Sequence, residues 1–429
     1  MEKSRVLESA YKILLKHPLC SHCLGRLYAK LCRGLGNDVR GYSLKTAIAM
    51  ELHRLVIENN RDSYREVLEK LATNSGEPFT SLYKHLYGDN IEQQECSICG
   101  NKLSRKYFEE LAKRVYNEIE KYHANSFLVG VSVSRDRILR ELLIASETGL
   151  EYSESIKNEI KREVGKIVRD KYGVEPDFDK PDIVVIIDFE RDAIETIVNP
   201  VLLYGRYWKK ARNISHTIWV VDGVKKYPYS LEEFFNDMLS ELYGSERIVL
   251  HASGREDVDA RMLGTGRPMV LEVKKPVYRL VSLDLVNELL HSREIEAVIE
   301  SETNRSMIEY LKTEHSKRQK IYKALVYTVE PVSRDNLEVL EKTFNGVVVK
   351  QLTPKRILFR KKEHLRHRRV YEVKTKYLTE NVFETIIRAD GGLYIKELIS
   401  SDEGRTTPSF TEVLGVQAYC IELDVIAVI

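Results

Sequence analysis

Two groups of residues in this 429-residue sequence have the types and spacing to do chemistry. The first is a pair of C-x-x-C turns, Cys20-Ser-His-Cys23 and Cys96-Ser-Ile-Cys99. One such turn brings two thiolates within reach of a single ion, and two of them complete a tetrahedral zinc site. With Cys20, Cys23, Cys96 and Cys99 all engaged, no position is left for water. The zinc is therefore expected to be structural and to staple helices together. His22 lies inside the first pair as a competing donor, whereas Cys32 and Cys420 read as packing residues.

The second group is the run His251 to Pro268, HASGREDVDARMLGTGRP, which reads as a loop between two apolar strands. It carries Asp257 and Asp259, Arg255, Arg261 and Arg267, and three glycines. Arginines interleaved with carboxylates can hold a carboxylate ionised where water is excluded, and glycines let backbone approach a ligand. The same composition also fits a surface turn with ordinary ion pairs.

Two local basic concentrations stand against a net charge of only +2. Arg206, Lys209, Lys210 and Arg212 alternate with Tyr204, Tyr207 and Trp208, a pattern suited to phosphate contacts with stacking on base or ribose. Residues 355–369 hold eight Lys or Arg against one acid: Lys355, Arg356, Arg360, Lys361, Lys362, Arg366, Arg368 and Arg369. A globally basic nucleic-acid binder is excluded, so any RNA surface must be local.

The elements that must position these groups follow from hydrophobic periodicity. Residues 1 to about 75 are helical in pattern, residues 76–100 are loop-like, and a helix is predicted from Ser104 to His123. Phe127–Ser134 alternates as a strand, Tyr152–Tyr172 has helical spacing, and Asp182–Glu190 is a continuous apolar strand of the kind buried on both faces. Pro200–Trp219 reads as a linker. Beyond Ile248 strands dominate, including RILFRKK and LYIKELI, with helical patterns at Asp284–Glu300 and Asp335–Phe344. The fold class is α+β, with a mostly antiparallel sheet in the C-terminal part.

Composition bounds the rest. An apolar fraction of 43% and a charged fraction of 31% describe a globular protein, and no apolar run reaches the length of a membrane span. The N-terminal segment lacks a secretory h-region, and six cysteines are too few for a disulfide scaffold. A cytoplasmic protein without membrane association is expected.

Gly254-Arg-Glu-Asp257 resembles the G-R-x-D motif of pseudouridine synthases, and GREDVDARMLGTGRP resembles the Pus10-type tRNA pseudouridine synthases of archaeal kind. The paired C-x-x-C turns, Tyr204–Arg212, and Gly392–Leu398 followed by DEGRTTPS agree with that family. The stretch before residue 200 is similar to a THUMP domain, an RNA-binding module. The resemblance implies residues 1–75 as a helical region with the first cysteine pair, 76–200 as the second pair with the THUMP-like module, and 201–429 as the catalytic domain with a mixed, mostly antiparallel sheet.

It further implies Asp257 as nucleophile, with Asp259 a neighbour supporting the loop. Tyr322 is the tyrosine that packs on the target base, and Lys396 is the cation paired with the catalytic carboxylate. Ile395 and Leu398 wall the uracil pocket. Arg255, Arg206, Arg212, Arg366, Arg368 and Arg369 become substrate contacts. The substrate implied is uridine 54 and/or 55 in the T-arm of tRNA, handled by a monomer with no organic cofactor and no specified protein partner. The alternatives are a non-catalytic tRNA-binding protein and another THUMP-linked tRNA-modifying enzyme. The latter would need a Gly-rich cofactor loop or an ATP motif, and neither is found.

Overall fold

The computed structural model describes residues 5–147, 150–314, 318–359 and 362–429. The chain divides into two compact units, Met1–Asn199 and Pro200–Ile429.

In the first unit, helices Arg5–Lys16, Ser21–Arg26, Asn37–Glu58 and Arg65–Ser75 share one apolar core with the α/β part that follows. Residues 76–100, read as loop, contain the helix Phe79–Tyr87, whose Phe79 and Tyr83 are buried. The helix expected from Ser104 runs Arg105–Lys121, and the Ser104 hydroxyl caps it by accepting from the Tyr107 amide at 3.2 Å. Strand Ser126–Ser132 pairs in parallel with Ile183–Asp188, in register Phe127 with Ile183. Helix Ile156–Tyr172 packs against Ser126–Ser132, and Ala193–Val198 adds an antiparallel edge. Helix Arg135–Ser146 is not anticipated from sequence. Only Glu141, Ile144 and Ala145 of it are buried, so its apolar stripe is too narrow to register as periodicity.

The second unit is built on a ten-stranded, mostly antiparallel sheet. Nine of the strands run in the order Ile295–Glu302, Val201–Lys209, Arg261–Lys274, Ala418–Val428, Gln319–Thr328, Val382–Asp390, Arg366–Thr379, Val348–Gln351 and Thr406–Thr407, and the tenth, Arg247–Ala252, pairs with Arg261–Lys274 off this path. The expected linker Pro200–Trp219 is corrected here. Val201–Lys209 is an interior strand with Leu203, Gly205, Tyr207 and Lys209 buried on one face and Tyr204, Arg206 and Trp208 half-buried on the other. LYIKELI is not a strand. Ile395–Ser400 forms a helix that buries Ile395, Leu398 and Ile399, a helical spacing. RILFRKK is also not a strand: Lys355–Ile357 is a 3₁₀ turn, and Arg360 and Lys361 lie outside the described residues. Asp284–Glu300 splits into helix Leu283–Leu289 and strand Ile295–Glu302.

One topological detail opens the site. Along one edge, Arg261–Lys274 pairs with Arg247–Ala252 at its C-terminal end and with Ala418–Val428 only at Arg261 and Met262. The two neighbours diverge, and the connection Ser253–Ala260 lies where they part. No helix among the described residues is long and apolar enough to cross a membrane.

Candidate active site

The connection is anchored by a residue that sequence reasoning passed over. Glu256 is buried, and its Oε2 accepts from Arg267 Nε at 2.9 Å and from the Tyr207 hydroxyl at 3.0 Å. Lys209 Nζ stands 3.6 Å from its other oxygen. Burial alone would raise this carboxyl, but Arg267, His216 and Lys209 outweigh it and hold Glu256 well below the ordinary value. Lys209 Nζ also donates to the carbonyls of Ile214, Asp257 and Val258, each at 3.1 Å. Arg212 Nη1 donates to Asp259 O at 2.7 Å and to Leu423 O at 2.8 Å, and its Nη2 reaches Asp424 at 2.9 Å. Backbone at Asp257 and at the two residues after it is thus pinned by buried or half-buried cations.

Asp257 is presented half-buried into an open cavity of about 1400 Å³. Arg356 Nη2 donates to Asp257 Oδ2 at 3.0 Å, and Arg356 Nε donates to Glu397 at 2.6 Å. Burial opposes the Arg356 charge, but Glu397 and Asp257 raise its pKa further than burial lowers it. Lys396 stands on the first turn of helix Ile395–Ser400. Its Nζ is 3.9 Å from Asp257 and only 2.5 Å from Asp259. Burial would raise the Asp259 carboxyl, and Lys396 lowers it by more. The cation closest to Asp257 is therefore Arg356, while Lys396 bridges the two aspartates and favours Asp259.

Tyr322, on strand Gln319–Thr328, is 7% exposed and lines the same cavity as Asp257, Ile395 and Lys396. Burial pushes its hydroxyl up to about 12, with Arg267 pulling it down and Asp257 adding to the rise. Leu398 is fully buried in the core behind the helix and does not line the cavity.

The candidate RNA contacts divide. Arg255 is exposed and lines the cavity. Arg366 and Arg368, alternate residues of one strand, also line it, and Arg366 sits 5.0 Å over the Tyr394 ring. Arg369 is exposed, lies on the other face of that strand and does not line the cavity. Arg206 and Arg212 bond within the protein instead. Arg206 Nε lies 3.4 Å from Glu300 and its Nη1 donates to Thr265 O at 3.2 Å, and Arg212 braces Asp259 and Asp424. Arg206 stands on the interior strand Val201–Lys209, and Arg212 follows it three residues on, within reach of Asp424. Trp219, Lys226 and Tyr227 line the cavity mouth, with Lys226 Nζ 4.6 Å over the indole ring. Only Gly254 of the three glycines borders the cavity, at φ +76°. Gly264 and Gly266 form a bulge in which a Cβ would meet Ile426 O at 1.9 Å and the Trp208 ring at 2.7 Å.

In the first unit the sulfur atoms of Cys20, Cys23, Cys96 and Cys99 all lie within 4.8 Å of one another. Cys20 caps helix Ser21–Arg26, its sulfur accepting from the Cys23 amide at 3.4 Å, and Asn101 accepts from the Cys96 amide at 3.2 Å. His22 is not a fifth donor. Its Nδ1 lies 2.9 Å from Glu159, which also holds Arg26 at 2.9 Å. Four converging thiols in a closed, largely buried pocket are a donor set fit for one soft metal ion.

Asp257, with Arg356 and Lys396 close by, thus enters an open cavity that the buried aromatic Tyr322 also lines. The family model "Pus10, C-terminal" matches residues 202–429, and "Pus10 THUMP domain, archaeal" matches residues 111–188. The tRNA pseudouridine synthase Pus10 of Thermosphaera aggregans is 41% identical over 436 residues, covering 99% of this chain and 97% of its own. That of Methanocaldococcus jannaschii is 36% identical, covering 97% and 93%. Among solved structures, a Cbf5-Nop10-Gar1 complex is similar over 53% of this chain and 48% of that one, at 17% identity and a TM-score of 0.28. The chain belongs to the Pus10 family of tRNA pseudouridine synthases, and its activity is that of an isomerase.

Proposed function

We propose that the protein isomerises uridine 54 and/or 55 in the T-arm of tRNA, with Asp257 as nucleophile on a base flipped into the cleft. The observation that carries this reading is the Arg356–Asp257 pair at 3.0 Å, opening into the cavity that Tyr322 lines. Arg356 and Lys396 orient the Asp257 carboxylate, whose covalent attack splits one hard step into two. Extruding the target costs on the order of a few kcal/mol, part of which stacking on Tyr322 returns. Ile395 shapes the pocket wall, with Leu398 packing behind it. Arg255, Arg366 and Arg368, with Trp219 and Tyr227, supply phosphate and stacking contacts at the mouth, and Arg369 extends the basic strand beyond it.

The four cysteines hold a structural Zn²⁺ in this reading, and the chemistry calls on no organic cofactor. The protein works as a monomer in the cytoplasm, and the THUMP module of the first unit adds RNA contacts. Incubation of unmodified tRNA transcript with wild type, followed by mapping, is expected to place pseudouridine in the T-arm. Asp257→Ala is expected to yield none. Product from Asp257→Ala would remove the nucleophile assignment, and no product from wild type would leave a tRNA-binding protein.

A further inference from the structure

Lys320 is unused by the mechanism so far. It lies two residues before Tyr322 on strand Gln319–Thr328, so the two side chains share a face. Both line the cavity that Asp257 enters. Lys320 is only 4% exposed, and its ammonium has no hydrogen-bond or ion-pair partner among the described residues. Glu256 is the carboxylate whose charge reaches it, but Glu256 is already engaged by Arg267, Tyr207 and Lys209. Burial pushes the Lys320 ammonium down to about 7, Arg267 pushes the same way, and Glu256 only partly opposes them.

A buried cation with its charge unanswered is costly. The cost is understandable where the ligand supplies the answering charge. Resting on the function proposed above, the substrate does so at one moment. When Asp257 bonds to C1′, the C1′–N1 bond breaks and its electron pair leaves with the ring, spreading over N1, O2 and O4. The ring turns and C5 attacks C1′, releasing Asp257. C5 then loses its proton and N1 gains one, so charge and atoms balance with no other reactant.

We propose that Lys320 is a further catalytic residue, whose ammonium contacts a carbonyl oxygen of the target uracil and stabilises the negative charge of the detached ring. The deep position beside Tyr322 favours the base over a phosphate, because exposed Arg255 and the strand cations Arg366 and Arg368 already serve the mouth. A contact stronger after bond cleavage than before it acts on the chemical step and not on affinity.

Lys320→Met, close in size but neutral, tests this. Folding is checked by circular dichroism and melting, tRNA affinity by titration at several salt concentrations, and chemistry by single-turnover formation of pseudouridine at saturating enzyme. Affinity is expected within about twofold of wild type, with the single-turnover rate down by about 10²–10³, the loss typical for one removed charge-stabilising donor. Should Lys320→Met fail to fold, Lys320→Ala is assayed with ethylammonium. Recovery of rate that sodium at equal ionic strength does not give supports the assignment, and equal rates with both cations overturn it.

A folded Lys320→Met with the wild-type rate overturns the assignment. So does weakened binding with a shallower salt dependence and an unchanged saturated rate, which marks a phosphate contact instead. A wild-type protein that makes no pseudouridine overturns the proposed function and this inference together. An active wild type matched by Lys320→Met overturns the inference alone.

Discussion

At the residue scale, the site is organised by Glu256 as much as by Asp257. The neighbouring positions have opposite fates. Asp257 opens to the cavity, while Glu256 turns inward to Arg267, Tyr207 and Lys209. Removing one partner of such a buried cluster leaves the others uncompensated, which costs about 3–5 kcal/mol. Glu256→Ala is therefore expected to lose about that much in urea unfolding of the purified protein, and the catalytic loop should loosen with it. The cluster also sets a pH dependence. Glu256 is depressed well below its ordinary value of 4.5, so its ionised form stabilises the fold above that value. This contribution should fade as pH falls below about 4.5 toward the lower folded-state value. In Glu256→Gln the same acid segment of the stability curve should be flatter. An unchanged slope would mean that another carboxylate governs acid unfolding.

At the element scale, runs rich in β-branched residues are legible in the sequence as strands, and short runs whose apolar residues fit both periods are not. Asp182–Glu190 and Phe127–Ser134 run continuously apolar or alternate, and both supply strands of the first unit. YIKELI fits either period over so few residues, and packing of Ile395, Leu398 and Ile399 decides for helix. Asp257, Tyr322 and Lys396 can be named from sequence because motifs carry them. Arg356 can be named only as one cation in a basic run, because it meets Asp257 from 99 positions away. Lys209 and Arg212 mislead for a related reason: the interior strand buries Lys209, and Arg212 just beyond it pairs with Asp424 and Asp259 O.

Strand geometry also sorts the basic run functionally. Arg366 and Arg368 line the cleft, whereas Arg369, one residue on, faces away. Paired reversal to glutamate at 366 and 368 should weaken tRNA binding and lower the salt slope of log affinity by about one for each phosphate left without its cation. Arg369→Glu should change that slope by less than either. Equal effects at all three positions would show that the whole run acts as a diffuse field.

At the scale of the molecule, each of the two units has its own apolar core, and only the first contains the cysteine cluster. Metal loss should therefore be felt unevenly. Structural zinc contributes roughly 10–16 kcal/mol to the folding of small finger peptides. In a unit of this size, with helices and a sheet packed around the cysteines, only a fraction of that needs to appear as stability. Even about 5 kcal/mol would lower the melting temperature of the first unit by roughly 10–20 °C, at about 2–4 °C per kcal/mol. Cys96→Ser, or prolonged treatment with a strong chelator, should split the melting profile. A destabilised transition is expected for the first unit and an unshifted one for the second, whose core contains none of the four cysteines. Elemental analysis should find stoichiometric zinc in wild type and a depleted content in Cys96→Ser. Wild type purified folded and metal-free would overturn the zinc assignment. If the first unit serves RNA binding and the second chemistry, the metal-depleted protein should need more enzyme to saturate tRNA and yet approach the wild-type single-turnover rate once saturated. A fall in the saturated rate itself would mean that the first unit also helps seat the target uridine.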